Sequence, residues 1–118
     1  MSRELGRWGE GKAADFLRRR GYKIIGMNYS CRMGEIDIIA ENRKYVVFAE
    51  VKLRKSDKFG QAREYVTGAK QERLRITAQM WLASNETDKQ PRFDVIEIYA
   101  PDGENSNMIS IEHIENAF

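Results

Sequence analysis

Cysteine and histidine are almost absent from this chain of 118 residues, which contains one of each, Cys31 and His113. A single cysteine cannot form an intramolecular disulfide. The usual zinc sites are also excluded, because tetrahedral zinc needs several thiolate or imidazole ligands. Any metal bound by this protein is therefore expected to be a hard ion with oxygen ligands. Neither Cys31 nor His113 is assigned a functional role.

Long apolar runs are missing as well. The longest run, residues 45–49, is far too short to cross a bilayer, and the N-terminus lacks the apolar stretch of a secretory signal. These absences predict a soluble, cytoplasmic protein that does not enter a membrane. A chain of 118 residues with 42% hydrophobic and 32% charged residues fits one domain, residues 1–118, that buries its own core.

The small net charge of +2 conceals an uneven distribution. Residues 1–75 carry 18 Lys and Arg against 10 Asp and Glu, a net of +8, and residues 76–118 carry 2 against 8, a net of −6. A strongly basic segment is typical of proteins that bind a polyanion such as nucleic acid. A solvated surface with uneven charge explains the same numbers equally well.

Hydrophobic spacing divides the chain into two helices and five strands. A helix is predicted from about residue 2 or 4 to residue 20, where Gly21 is suited to end it, and a second from roughly residue 64 or 67 to 84. Alternation predicts strands over residues 22–28, 35–41, 45–53, 92–100 and 108–112. Strands flanked by two long helices indicate an α/β sandwich.

The second and third predicted strands are so close in sequence that they must form an antiparallel hairpin. If Arg43 and Lys44 make a two-residue turn, Asp37 lies directly opposite Glu50. Opposed residues share one face of the sheet, with Cβ atoms about 4.5–5.5 Å apart. A shift of one residue would turn Asp37 away, so the register is a testable prediction.

Three more charged residues are expected near this pair. Lys52 shares a strand face with Glu50, because side chains alternate along a strand, and the same register sets Glu35 opposite Lys52. Glu10 on the first helix is seven residues from Leu17, which leaves the two only about 20° apart around the helix axis. Glu10 should therefore lean toward the sheet.

Clustered carboxylates repel one another by about 1 kcal/mol at 4 Å in water and about 4 kcal/mol at an effective dielectric of 20. A divalent cation removes that penalty. Mg²⁺ prefers oxygen ligands, commonly one or two carboxylates with water and phosphate oxygens, and Asp37 and Glu50 offer such a pair. Lys52 is placed to orient a metal-bound water or to neutralise charge on phosphorus, so the pattern predicts phosphodiester hydrolysis.

The arrangement of Asp37, then Glu50-Val51-Lys52, after a helix with Glu10 resembles the PD-(D/E)xK nuclease superfamily. More closely, the chain resembles the bacterial YraN-like family of predicted endonucleases, which is similar to archaeal Holliday junction resolvases. The residues that carry this likeness, between about residues 5 and 98, are Gly9-Glu10, Gly34-Glu-Ile-Asp-Ile-Ile-Ala40, Phe48-Ala-Glu-Val-Lys52, Phe59-Gly60, Lys70 and Arg92-Phe-Asp-Val95. One departure is Ile36, which stands where the superfamily's name has proline.

The resemblance implies a restriction-endonuclease-like core with a mixed β-sheet flanked by helices. It also implies that Asp37 and Glu50 bind Mg²⁺ or Mn²⁺, that Glu10 assists at the metal, and that Lys52 is catalytic. The expected function is a metal-dependent endonuclease acting on branched DNA. Because symmetric cutting of a junction needs two active sites, a homodimer is one arrangement to expect.

Basic and aromatic residues provide candidates for contact with nucleic acid. Residues expected to meet phosphates are Arg32, Arg54, Lys55 and Lys58 on loops, and Lys70 and Gln71 at the start of the second helix. Tyr29 and Phe59 are expected in loops, where they could stack on bases. Core positions are predicted for the remaining aromatic residues considered, Trp8, Phe16, Trp81 and Phe93.

Two other functions remain open. The protein could bind nucleic acid through a nuclease-like fold without cutting it, or use its acidic C-terminal half to bind another protein. Glu50 and Lys52 could also form a plain surface ion pair worth under about 1 kcal/mol. Glu35 is an alternative to Glu10 as the further acidic residue of the cluster, because its expected position opposite Lys52 also brings it close to the other charged residues. No segment suited to reading bases is visible, which favours recognition of nucleic-acid shape over sequence.

Overall fold

The computed structural model describes residues 3–55 and 67–118. Within these ranges the elements are α1 (Arg3–Arg19), β1 (Lys23–Cys31), β2 (Gly34–Glu41), β3 (Tyr45–Arg54), α2 (Gly68–Ser84), β4 (Gln90–Tyr99), a 3-10 turn (Gly103–Asn105) and β5 (Ser110–Ile114). The two helices and five strands predicted from the sequence are confirmed. Their ends are shifted by at most a few residues, because strand pairing, rather than local pattern, decides where each strand stops.

The five strands form one mixed sheet in the order β1-β2-β3-β4-β5. Neighbouring strands are antiparallel, except for β3 and β4, which are parallel. Parallel neighbours need a crossover connection, and α2 lies in the segment that joins them. The expected α/β class is confirmed, and the mixed sheet with its two helices is consistent with a restriction-endonuclease-like core.

The helices cover opposite faces of the sheet. The buried α1 side includes Ala13, Ala14, Leu17, Ile38, Val47 and Ile96, and the buried α2 side includes Ile39, Val46, Phe48, Leu74 and Ala78. Trp8 packs against the first cluster, and Trp81 and Phe93 pack against the second, as predicted. Because both faces are covered, β2 and β3 can carry unbroken apolar runs, at residues 38–40 and 45–49. Neither α1 nor α2 is both long and apolar enough to be a membrane-spanning segment in the part of the chain described.

Gly21 ends α1 as its position predicts. Its φ of +91° is in the left-handed region, which glycine adopts without steric cost. The Gly21 amide donates to the Arg18 carbonyl (3.1 Å), and the Tyr22 amide donates to the Leu17 carbonyl (3.0 Å). These bonds satisfy carbonyls at the helix end and turn the chain into β1.

Gly34 allows the β1–β2 turn to approach α2 closely. A Cβ atom at this position would lie 2.9 Å from Thr77 Oγ1, and the φ of Gly34 is +156°. A side chain here would displace the Thr77 hydroxyl, which donates to the Arg73 carbonyl at 2.7 Å. The turn therefore lies close to the middle of α2.

A buried polar network joins β4 to β5 and the C-terminal residues. Asp94 is fully buried and accepts two bonds from Arg92 (2.9 and 2.8 Å), while its Oδ2 lies 2.6 Å from His113 Nε2. The Asn116 amide donates to Oδ1 (2.9 Å), and Arg92 also donates to the Tyr22 hydroxyl (2.6 Å). His113, to which the sequence assigns no role, is thus part of the fold's internal structure.

Candidate active site

The β2–β3 hairpin has the predicted register. Regular pairing begins at Ile38, opposite Ala49, and continues toward the two-residue turn at Arg43 and Lys44. Asn42 holds this turn, because its Oδ1 accepts from the amides of Lys44 (3.0 Å) and of the next residue (2.8 Å). Asp37 and Glu50 are the residues that directly follow the last regular pair of this ladder, and continuing the same register by one residue would set them opposite each other.

Asp37 lies where the alternation of β2 is interrupted. Its neighbours Ile36 and Ile38 pack into cores on opposite faces of the sheet, although regular alternation would place both on one face. Asp37 Oδ2 accepts from the Val51 amide of β3 at 2.8 Å. The carboxylate thus takes a backbone donor at the place where the two strands stop pairing.

Asn28 on β1 lies next to the interruption of β2, on the strand that pairs with its other edge. The residues before and after it pair with Ile38 and Ile36, which leaves Asn28 opposite Asp37. Its φ of +54° is in the left-handed region, which is uncommon for residues other than glycine. Such backbone outliers cluster at functional sites. Asparagine tolerates this conformation, but no sequence pattern indicated it here.

Glu50 is buried between two lysines. Lys70 Nζ of α2 lies 2.7 Å from Glu50 Oε1, and Lys52 Nζ lies 3.6 Å from the same oxygen. Burial and the neighbouring Lys70 ammonium lower the pKa of Lys52. Burial also acts to lower the pKa of Lys70, but the hydrogen bond to Glu50 and its charge outweigh this and raise it. The sequence suggested Lys70 only as a phosphate contact, whereas the fold brings it to the centre of the acidic cluster.

The electrostatics of Asp37 differ from those of an ordinary aspartate. Burial, followed by the charge of Glu50, raises the pKa of Asp37 from 3.8 to about 7, although the bond from Val51 acts in the opposite direction. Glu10 and Glu35 raise the pKa of Asp37 further. Each of these three glutamates is therefore close enough to Asp37 to disfavour the charge of its carboxylate.

Two adjoining clefts open beside these carboxylates. The first, of about 430 Å³, is lined by Asp37, Glu50 and Lys70, and also by Arg32, Glu35 and Arg73. The second, of about 470 Å³, is lined by Glu10, Arg7, Asn28, Ser30 and Glu35. Glu35 lines both clefts. Glu10 thus reaches the cluster from the α1 side, while Asp37 and Glu50 face the cleft beside α2.

Residues 9–98 match the uncharacterised protein family UPF0102. This chain belongs to that family. It is the YraN-like family that the sequence motifs resemble. A UPF0102 protein of Caldicellulosiruptor bescii is 47% identical over 98% of both chains, and one of Syntrophomonas wolfei is 43% identical over 100% of both. A third, of Symbiobacterium thermophilum, is 44% identical over 100% of this chain and 98% of its own.

The match extends from the middle of α1 to the end of β4 and so includes every acidic and lysine residue of the cluster in this UPF0102 protein. The relatives named here carry the family name and no activity. Family membership is therefore established, and the chemistry of the cluster has to be argued from its geometry.

The basic residues predicted to contact phosphates are spread over the surface. Arg32 is exposed and lines the first cleft, as does Arg73, which the sequence did not single out. Lys55 is exposed but lines a separate depression with Leu5 and residues 101–105. Gln71 lies in the first turns of α2, where its amide donates to the Thr67 carbonyl (2.8 Å). Lys58, Phe59 and Gly60 lie outside the described residues.

Two of these placements correct the sequence analysis. Arg54, expected on a loop, is the last residue of β3, and its Nε lies 2.7 Å from Oε1 of the fully buried Glu97. The guanidinium is thus engaged inside the protein because β3 continues one residue further than the pattern indicated. Tyr29, also expected in a loop, belongs to β1 and packs against the α2-side core.

The acidic cluster suits a hard divalent ion held by few protein ligands. Within residues 3–55 and 67–118, no three Asp, Glu, His or Cys side chains are arranged to hold a metal ion. Asp37 and Glu50 remain a pair, which matches the one or two carboxylates by which Mg²⁺ is usually bound. Glu50 already attracts an ammonium group, so its position is one where a cation is stabilised. The donor set fits a magnesium or manganese ion whose remaining ligands are water and substrate.

Proposed function

We propose that this UPF0102 protein is a metal-dependent endonuclease that hydrolyses phosphodiester bonds in branched DNA. The observation that supports this most is the grouping of Asp37, Glu50 and Lys52 at the point where β2 and β3 stop pairing, beside an open cleft. Carboxylates that can hold a divalent ion, beside an amine that can stabilise negative charge, are suited to the hydrolysis of a phosphodiester.

Each residue of the group has a distinct role in this proposal. Asp37 and Glu50 would hold Mg²⁺ or Mn²⁺, and Glu10 would assist from the adjoining cleft. When bound, such an ion polarises the phosphate and lowers the pKa of the attacking water. Lys52 donates hydrogen bonds that orient this water and neutralises the negative charge that grows on phosphorus. Its 3.6 Å separation from Glu50 keeps the ammonium beside the reacting groups.

The lining of the clefts supports nucleic acid as the substrate. Arg32 and Arg73 line the cleft that contains Asp37 and Glu50, and Arg7 lines the next. Cations placed on both sides of a cutting site can hold the phosphates that flank the scissile bond. The described residues include no element that enters a DNA groove to read bases, which favours substrates recognised by shape. A homodimer would present two such sites to a junction.

Cleavage of a four-way DNA junction and of a linear duplex tests the proposal. Wild-type protein should cut the junction only with Mg²⁺ or Mn²⁺, and Asp37→Asn or Glu50→Gln should reduce the rate at least about 100-fold. Glu112→Gln, which neutralises an exposed glutamate on β5, is the matched control and should cut normally. Folded Asp37→Asn and Glu50→Gln variants that cut at the wild-type rate would refute the assignment.

A second candidate is a module that binds nucleic acid without cutting it. Its specific support is the pairing of Glu50 with Lys70, which neutralises the carboxylate with the protein's own side chain. Calorimetric titration with Mn²⁺ separates the two candidates. Salt-sensitive DNA binding without uptake of Mn²⁺ would favour the module, whereas uptake that Glu50→Gln weakens would favour the nuclease.

A further inference from the structure

Lys70 occupies the place at Glu50 where a metal ion would bind. Its Nζ lies 2.7 Å from Glu50 Oε1, a charge-assisted hydrogen-bond distance, while Lys52 Nζ is more distant at 3.6 Å. Glu50 is only 8% exposed, so its charge needs a close cation. In the metal-free protein, Lys70 is the nearer of the two lysines that meet this need.

The position of Lys70 within α2 is unfavourable in itself. Thr67 is the N-cap of this helix, and its side chain accepts from the Lys70 amide at 3.2 Å, which places Lys70 in the first turn. The helix dipole disfavours a positive charge at this end. No acidic residue in the first turn of α2 offsets this. The attraction of Glu50 is therefore what holds the Lys70 ammonium in place.

We propose that Lys70 is a displaceable internal cation that competes with the divalent metal ion for Glu50. The inference rests on the proposed nuclease function and adds a regulatory step to it. Metal binding exchanges the ammonium for the ion at the Glu50 carboxylate. The released Lys70 side chain then joins Arg32 and Arg73, which line the same cleft, where the phosphates of the substrate would lie. Lys52, which is farther from Glu50, stays beside the reacting groups.

Mn²⁺ titration by calorimetry tests the competition. Lys70→Met removes the ammonium while keeping an unbranched side chain, and it should bind Mn²⁺ about tenfold more tightly than the wild type. Arg73→Met is the matched control, because it removes a cation from the same helix and cleft without breaking an ion pair to Glu50. Its affinity should change by less than about twofold if general electrostatics are screened at this distance.

A double-mutant cycle identifies Glu50 as the shared ligand. In a Glu50→Gln background, the further change Lys70→Met should leave Mn²⁺ affinity unchanged, because the two cations no longer share a carboxylate. If Lys70→Met raises the affinity for Mn²⁺ equally with and without Glu50, its effect comes from the overall charge of the protein, and the inference is wrong.

Amine reactivity of the wild-type protein provides a test that needs no variant. Acetylation of Lys70, followed by mass spectrometry, should be slow without metal and several-fold faster with saturating Mg²⁺, while the exposed Lys12 reacts at an unchanged rate. Protection of Lys70 that persists at saturating Mg²⁺ would overturn the inference and leave the proposed nuclease standing. If wild-type protein and Lys70→Met both fail to bind Mg²⁺ and Mn²⁺, the inference and the metal-dependent function fail together.

Discussion

Two aspartates of the same sheet, Asp94 and Asp37, have opposite electrostatic environments. Asp94 accepts bonds from Arg92, His113 and the Asn116 amide, and although burial acts to raise its pKa, these bonds together lower it. Asp37 accepts one bond from the Val51 amide in the described part of the chain, and burial and Glu50 raise its pKa to about 7.

The difference lies in how far the protein's own side chains neutralise each carboxylate. At Asp94 the charge is neutralised by cationic and polar side chains of the same chain, and the carboxylate is stable as an anion. At Asp37 the nearest charges include Glu50, Glu10 and Glu35, which oppose ionisation. A carboxylate left in that condition at an open cleft is suited to a cation supplied from outside.

The largest effect is expected from breaking the hydrogen-bond network around Asp94. Asp94→Asn removes the negative charge between Arg92 and His113 and leaves the buried Arg92 guanidinium with only the more distant Glu115 carboxylate, at 3.8 Å, among its ion-pair partners in the described residues. The free energy of unfolding should fall by about 3–5 kcal/mol, measured by urea denaturation. Asp37→Asn, the matched change at the other aspartate, should cause no such loss. A decrease below about 1 kcal/mol for Asp94→Asn would contradict the structural role of the network.

A smaller effect, opposite in sign, is expected at Asp37. Because its folded pKa of about 7 lies above the ordinary 3.8, the folded state binds the proton more tightly. Stability is therefore retained below about pH 4 and lost as pH rises toward 7. Asp37→Asn should match the wild type near pH 4 and, without metal, be more stable by about 2 kcal/mol at pH 8. Asp88→Asn, on an exposed loop, is the control; a gain that does not vary with pH would contradict this account.

The cations of the cleft should affect DNA binding without affecting stability. Arg73→Met should weaken binding of all DNA sequences alike and reduce the slope of log affinity against log salt by about 1. Lys89→Met is the comparison, because Lys89 pairs with Glu41 at 3.1 Å and does not line the cleft. Fluorescence anisotropy over a range of salt concentrations measures both. Equal slopes for the two variants would place the DNA elsewhere.

The smallest expected effect sets the scale for the others. Lys89→Met removes a partly exposed ion pair with Glu41, and the free energy of unfolding should change by less than about 1 kcal/mol. Thermal unfolding measures it. A loss as large as that for Asp94→Asn would show that surface and interior pairs are equivalent in this protein, and the comparison between the two aspartates would lose its basis.

Local sequence signals were sufficient for most of the fold and for the hairpin that carries Asp37 and Glu50. Gly21 specified the end of α1 through its tolerance of a left-handed backbone. The short turn at Arg43 and Lys44 fixed the register of the hairpin, which brings the end of the ladder to Ile38 and Ala49, the residues that directly precede Asp37 and Glu50 at this end. Both inferences depend on geometry within a few residues, which the sequence specifies directly.

Features that depend on distant contacts were not accessible in this way. Lys70 meets Glu50 only because α2 crosses back over the sheet, and its spacing from Glu50 carries no signal of that approach. The Asp94 network joins β4, β5 and the C-terminal residues, so His113 looked incidental when read alone. Arg54 looked like a loop residue because its buried partner, Glu97, is on a strand far away in sequence.

The proposed function depends on the binding of a divalent metal ion by Asp37 and Glu50. A crystal structure of the protein soaked in Mn²⁺, with anomalous data collected for manganese, tests it most directly. We expect a strong anomalous peak about 2.1 Å from oxygens of both carboxylates, with Lys70 moved away from Glu50. A fully soaked crystal without a peak between Asp37 and Glu50, and with Lys70 still bonded to Glu50, would contradict it.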